Sequence, residues 1–499
     1  MTERHGGGPV AGSLTARAAV GAASVRPGEI MSQDVVIVLD CGSTNLRAMA
    51  VDGHGRIVAR SSEKSGTEPD PDHKDWHYWP FEGLYDKLCR CSRDVASQID
   101  VRSVRALTVT TFGGDGSFLD ADGRMLFPVI SWKCTRTLES QRHMSRYIDP
   151  DRVVQISGVG HFSFNTLNKF IWFREHRPDL FDTAKHFVFV SSLFTHRLTG
   201  RLTNDATLVG TSQMTDLKTQ DFSDAILSAV GVDRSLFPEL IFPGEVVGPL
   251  LAGAADALGL PAGIPVVSAG HDTQFAIFGA GAAPNRPVLS SGTWEILMAR
   301  CASIDIPPPD AIDDAFTCEW DVLRGHYNPG FQYVASAVIE WIGRNMYGEL
   351  AGSAKYEAMI AEAKAAPADC RGVTVDPNML VGKGAIANLS LDVDRGTLFR
   401  ATLVGLAGRL KHGLGVLETV GGFKADELTL VGGGTRNQLW TQIKADTLGI
   451  PVRTLEEPEI TVLGAAMFAL KGAGIYASAE EAREAFRLDC RYTQPGVPA

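Results

Sequence analysis

Residues 34–50 read DVVIVLDCGSTNLRAMA, an apolar β-branched run that stops at a carboxylate, turns through small polar residues and returns as a second apolar run. The run Val35–Leu39 predicts a buried strand delivering Asp40 to its end. Cys41-Gly-Ser-Thr-Asn45 is turn-like, and Leu46–Val51 is the returning strand. Asp52-Gly-His-Gly55 then turns the chain into a third strand, Arg56–Ser61, so the opening is a three-stranded meander with two tight turns. Pro80–Ile99 predicts a helix, and Val104–Thr111 a further strand that ends in Thr111-Phe-Gly-Gly-Asp-Gly116.

The same rhythm returns in the second half. Pro265–Ala269 is a strand running into Gly270-His-Asp-Thr-Gln274 and a helix of small residues. Pro287–Ser290 ends in Ser291-Gly-Thr-Trp294, and Glu295–Arg300 is its partner strand. Leu428–Val431 runs into Gly432-Gly-Gly-Thr-Arg-Asn437 and a helix, Gln438–Leu448. This is a loose internal duplication of an α/β unit, not a short-period repeat. Pro284-Asn-Arg-Pro287 marks the expected boundary between two lobes, 31–283 and 287–485. Residues 1–30, rich in Gly, Ala, Val and Arg with no apolar core, read as a disordered tail, or as sequence upstream of a true start at Met31.

Composition excludes several classes. A net charge of −11 leaves no basic face for nucleic acid, though a few local cations and backbone amides suffice for a nucleotide. No run approaches the roughly 18 apolar residues of a membrane span. The eight cysteines are scattered without C-x-x-C spacing, so buried free thiols in a reducing cytoplasm are expected. P-loop, G-x-G-x-x-G, G-x-S-x-G, protein-kinase and H-E-x-x-H signatures are all missing.

Each strand-end turn admits a chemical use and a plain one. Amides behind Asp40 can nest a phosphate, with Asp40 reaching Mg²⁺ directly or through water; the alternative is a hairpin with a polar tip. Asp272 can be a general base for a sugar hydroxyl, or simply a helix N-cap. Ser290-Ser-Gly-Thr-Trp-Glu295 can supply a second phosphate nest. Gly432–Gly434 lets a flat ligand approach the backbone, or is a flexible turn.

Taken in order, VLDCGSTNLRAMAV, VTTFGGDG, ISWKCTR, SGVGHFSFNTLNK, SAGHDTQFAIFGAG, LSSGTWEILM and LVGGGTRNQLW resemble the FGGY carbohydrate kinases. The resemblance covers nearly all of 34–495. It implies two ribonuclease-H-like, actin-type lobes around a cleft, the first binding sugar and the second ATP. It implies Mg·ATP-dependent phosphorylation of a small ketose, with L-fuculose the expected sugar and L-rhamnulose, D-ribulose and D-xylulose the alternatives. A non-catalytic nucleotide-binding protein on the same fold is the rival from another class. By the resemblance, Asp40 is the metal site, and Gly42, Ser43, Thr44, Asn45 and Arg47 form the first phosphate loop. Asp272 is the catalytic base, flanked by His271 and Thr273 as substrate contacts. Thr293 belongs to the second phosphate loop, and Gly433, Gly434 and Asn437 to the adenosine loop. Gly113, Asp115, Trp132 and Arg136 are sugar-side positions, although many relatives carry acidic or Gln-Asp pairs where Lys133-Cys134 stand here. Neither nucleic acid nor membrane is an expected partner, and a homo-oligomer is compatible with the pattern.

Overall fold

A computed structural model describes residues 34–292, 294–379 and 382–496; the 1–30 segment and Thr293 lie outside the described residues. Only the strands of the two large sheets and the helices that bear on the site are numbered below.

In the first lobe, Val35–Cys41 (β1), Asn45–Asp52 (β2) and Ile57–Lys64 (β3) form the expected antiparallel meander. Helix α1 (Phe81–Ala96) crosses over and feeds β4 (Val104–Thr111), which pairs parallel with β1. Helix α2 (Thr166–His176) follows, then β5 (Val246–Pro249), β6 (Pro265–His271) and α3 (Asp272–Gly279). The six-stranded sheet runs β5-β6-β4-β1-β2-β3. Every residue of β1 is buried, as befits a central strand covered on both faces.

The second lobe repeats the plan. Its strands are β7 (Val288–Ser291), β8 (Trp294–Met298), β9 (Phe316–Trp320), β10 (Tyr327–Val334), β11 (Leu428–Val431), β12 (Val452–Leu455) and β13 (Cys490–Thr493). They form a seven-stranded sheet in the order β9-β10-β8-β7-β11-β12-β13. Strands β10, β8 and β7 are antiparallel neighbours, and β11 and β12 add parallel, which matches β3-β2-β1-β4-β6 position for position. In a parallel addition the strand ends point the same way, so the polar turns after β1, β4, β7 and β11 gather on one rim of each sheet. The helices are α4 (Arg395–Gly421), α5 (Gln438–Leu448) and α6 (Ile460–Gly472).

Helix α6 is apolar on all sides, and Val462 to Leu470 are buried throughout. Although it comes late in the chain, it packs on the first-lobe sheet against Val36, Val38, Met49, Ala106 and Val267. It also crosses α3 at close range. A Cβ on Gly464 would stand 2.0 Å from the Phe275 carbonyl oxygen, and one on Gly279 would stand 2.7 Å from that of Ile460. Two glycines are what allow the two backbones to approach so closely.

All eight cysteines are unpaired; seven are buried as expected, and Cys490 is exposed. Among the described residues no helix is long and apolar enough to cross a membrane.

Candidate active site

Strand β1 places Asp40 directly opposite Arg47 of β2. The carboxylate is 1% exposed. Arg47 Nε donates to its Oδ2 at 2.8 Å, and Arg47 Nη1 donates to Glu459, the residue before α6. Burial pushes the Asp40 carboxyl up to about 6 despite the Arg47 guanidinium, and the negative charges of Asp272 and Glu459 add to the rise. Asp40 and Asp272, both at strand ends of the first lobe, therefore sense each other, and the site holds more negative charge than Arg47 neutralises.

That surplus fits a divalent cation. Magnesium takes one or two carboxylates and keeps its waters and phosphate ligands, so the Asp40 carboxylate is a donor of the right kind. The turn behind Asp40 is tight: a Cβ on Gly42 would lie 2.9 Å from the Asn45 carbonyl. Ser43 is half-buried, and Thr44 and Asn45 are exposed. The Asn45 side chain is held by Lys64 at 3.0 Å, so it braces the turn from outside. Lys133 Nζ donates to the Ser43 carbonyl at 3.3 Å and lies over the rings of Trp79 and Trp132. Lys133 is thus a cation beside the first turn whose place the sequence alone did not disclose.

Asp272 opens α3 as its first residue, and the N-cap position belongs to His271, whose side chain makes no capping bond. The plain N-cap role therefore does not hold for Asp272, although its charge still gains from the helix N-terminus. Its Oδ1 accepts from Thr273 N at 2.6 Å and Thr273 Oγ1 at 3.2 Å. Burial raises the Asp272 carboxyl, and His271 and Arg47 oppose the rise. The side chain nonetheless stays 30% exposed. It lines a cavity of about 160 Å³ with Thr273, Ser290 of β7, Val431 of β11 and Thr461 of α6. One hollow thus joins the candidate base to the ends of both second-lobe strands that carry the glycine turns.

The sugar-side residues are less uniform. Trp132 is half-buried, its ring 6.2 Å from Phe164, which stacks on Phe162 at 5.2 Å. Gly113 leaves room for His271: a Cβ there would be 2.9 Å from the His271 Nε2. Asp115 and Arg136 do not face an open pocket, contrary to expectation. Asp115 is fully buried and accepts from Lys169, from Trp79 Nε1 at 2.6 Å and from the Trp132 amide at 3.0 Å. Its role in this structure is to fix Trp132 from beneath. Arg136 is enclosed by Trp76, Tyr78 and Trp172, with Nη1 donating to the Tyr78 hydroxyl at 3.0 Å. Lys169 was missed, though a lone charge inside the apolar stretch Phe170–Phe173 and Leu167 is a legible oddity.

In the second lobe a buried network supports the turn after β7. Glu295 accepts from Lys444 Nζ at 2.9 Å, from the Tyr333 hydroxyl at 3.2 Å and from Ser291 Oγ. The glycine turn after β11 lies on Ser291. A Cβ on Gly434 would be 1.9 Å from Ser291 Oγ, and Gly432 adopts φ 91°. Those two glycines answer the protein's own packing, whereas Gly433 faces open space. Asn437 is the N-cap of α5, accepting from Trp440 N at 3.1 Å. Beside this turn a cavity of about 500 Å³, bounded by Gly432, Gly433, Arg436, Glu456, Pro458 and Arg491, is of nucleotide size.

Known proteins match along almost the whole chain. Residues 35–279 match the N-terminal domain, and residues 288–473 the C-terminal domain, of the FGGY family of carbohydrate kinases. The L-fuculokinase of Salmonella typhi is 46% identical over 93% of this chain and 98% of its own length. That of Haemophilus influenzae is 41% identical over 91% and 98%. The crystal structure of xylulose kinase from Rhodospirillum rubrum superposes with a TM-score of 0.84 over 93% of this chain and 94% of that one, at 24% identity, a likeness of fold. Two matched domains, full-length relatives and a shared architecture lead to one conclusion: this chain belongs to the FGGY family of carbohydrate kinases and is a sugar kinase.

Proposed function

We propose that this kinase transfers the γ-phosphoryl group of ATP to O1 of L-fuculose, in the breakdown of L-fucose, with Asp272 as the general base. The observation that carries the assignment is the hollow in which Asp272 meets Ser290, Val431 and Thr461, with Asp40 close enough that the Asp272 charge helps to raise the Asp40 carboxyl. The L-fuculokinases matched over nearly their full length support the choice of sugar.

The C1 hydroxyl gives its proton to the Asp272 carboxylate as its oxygen attacks the γ-phosphorus, and the bond to the bridging oxygen of ADP breaks. A carboxyl raised by burial is a better proton acceptor than one in water, and such a base contributes roughly 10²–10⁴ in rate. Most of the remainder is positioning and charge neutralisation. Asp40 is the residue that would hold magnesium, which when bound neutralises the polyphosphate. The first lobe, 31–283, holds the sugar, with the Trp132, Phe162 and Phe164 rings suited to its apolar face. The second, 287–485, holds ATP. A reducing cytoplasm suits eight unpaired thiols.

A coupled ADP-release assay with L-fuculose, L-rhamnulose, D-ribulose and D-xylulose tests the substrate. L-fuculose should lead in kcat/KM; a roughly 100-fold preference for another ketose, about 2.7 kcal/mol, overturns the assignment. Asp272→Asn should abolish turnover while sparing ATP binding, and near-wild-type turnover removes Asp272 from its role.

A further inference from the structure

His271, expected to touch the sugar, is 13% exposed and has its ring set between two carboxylates of the protein. Nδ1 lies 3.1 Å from Glu319 Oε2, and Nε2 lies 3.6 Å from Asp272 Oδ1. Below the ring, Gly113 supplies the space that any side chain would fill. The backbone is fixed as well, with His271 N donating to Thr207 Oγ1 at 2.9 Å. Glu319 is itself restrained by Gln274 Nε2 of α3, which donates to the same Oε2 at 2.6 Å. Glu319 belongs to β9, the edge strand of the second-lobe sheet, whereas His271 and Asp272 end β6 and begin α3 of the first.

We propose that Glu319 and His271 form a positioning pair for Asp272, an inter-lobe link that turns Oδ1 toward the imidazole and leaves Oδ2 to take the sugar proton. A carboxylate can only accept, so Nδ1 carries a proton toward Glu319. A neutral ring would then aim the Nε2 lone pair at Asp272. Only the imidazolium satisfies both sides. The charged groups facing the ring are Glu319 from β9, Asp272 from α3 and, more distantly, Asp205; burial lowers His271, and these three outweigh it to leave a net rise. Because the anchor stands on the other lobe, the base is correctly turned only when the lobes are apposed. The inference rests on Asp272 being the base.

The test is the pH profile of kcat/KM for the ketose in full-length His271→Gln and Glu319→Gln enzymes, with urea midpoints measured alongside. Removing a cation beside Asp272 should raise its pKa, so the acidic limb should move up by about one pH unit, kcat should fall tenfold or more, and KM for ATP should stay within threefold. Glu319→Gln should move the same limb in the same direction, and should also bring the alkaline loss to lower pH. A tenfold rise in KM for the ketose with an unmoved limb would make His271 a sugar contact and overturn the proposal. A lowered urea midpoint with an unmoved limb overturns it too, as mere structure. If Asp272→Asn is inactive while these limbs stay put, only the pair is refuted; if Asp272→Asn is active, the base assignment itself fails.

Discussion

Replacing Gly464 by Ala separates helix propensity from packing. On propensity alone the change should stabilise α6 by about 1 kcal/mol. The structure predicts the opposite, because the new methyl would lie 2.0 Å from the Phe275 carbonyl oxygen, about 1.4 Å short of ordinary contact. A backbone oxygen cannot rotate aside, so α3 and α6 must part. Overpacking of this kind costs about 3 kcal/mol, which leaves a net loss of about 2 kcal/mol. The catalytic loss should be larger in proportion, since α3 begins with Asp272 and the first turn of α6 carries Thr461, both in the same hollow. A displacement near 1 Å there should lower kcat about 100-fold. Urea denaturation and a coupled ADP-release assay read the two effects. Gly408→Ala, on α4 with open space around it, is the control and should gain about 0.5–1 kcal/mol with kcat unchanged. A Gly464→Ala enzyme as stable as wild type, with kcat within threefold, would refute the view that this crossing sets the site.

Lys444→Met should cost about 3–5 kcal/mol by stranding Glu295 in the core, and adding Glu295→Gln should recover much of it in the urea midpoint. Lys133→Met should raise KM for ATP about tenfold while leaving the urea midpoint in place, as expected if the turn after Asp40 holds phosphate and loses a charged donor. Burial lowers His161, His186 and His196, so the unfolded chain binds protons more readily than the folded one below about pH 6.5. The part of the stability that these three histidines control should therefore be steady above that pH and shrink as pH drops toward 5, against the opposite trend from the raised Asp40 and Asp272 carboxyls, and His161→Gln should remove its share of that fall in pH-dependent urea melts.

Much of this was legible because strand and turn are local. The run Val35–Leu39 and the turn behind it specify a strand, a carboxylate at its end and a tight polar turn, all within a dozen residues. The duplication was visible for the same reason. Contact between distant segments has no such local signal. Nothing near Asp115 reveals that Lys169 will reach it and remove it from the pocket. Nothing near His271 announces Glu319. The glycines at 432 and 434 looked like a ligand platform, yet they are set by Ser291, more than a hundred residues earlier. The apolar run Ile460–Leu470 is plain in the sequence, but no local signal says which sheet it will cover.

That last assignment bears on synthesis. Val36, Val38, Met49, Ala106 and Val267 leave the ribosome long before residue 472 exists, and their cover is the final large helix of the chain. The nascent first half must carry an open oily face throughout translation, at some 5–20 residues per second. Expressed alone, residues 34–283 should precipitate or bind chaperones, and supplying the missing helix in trans should restore them to solution.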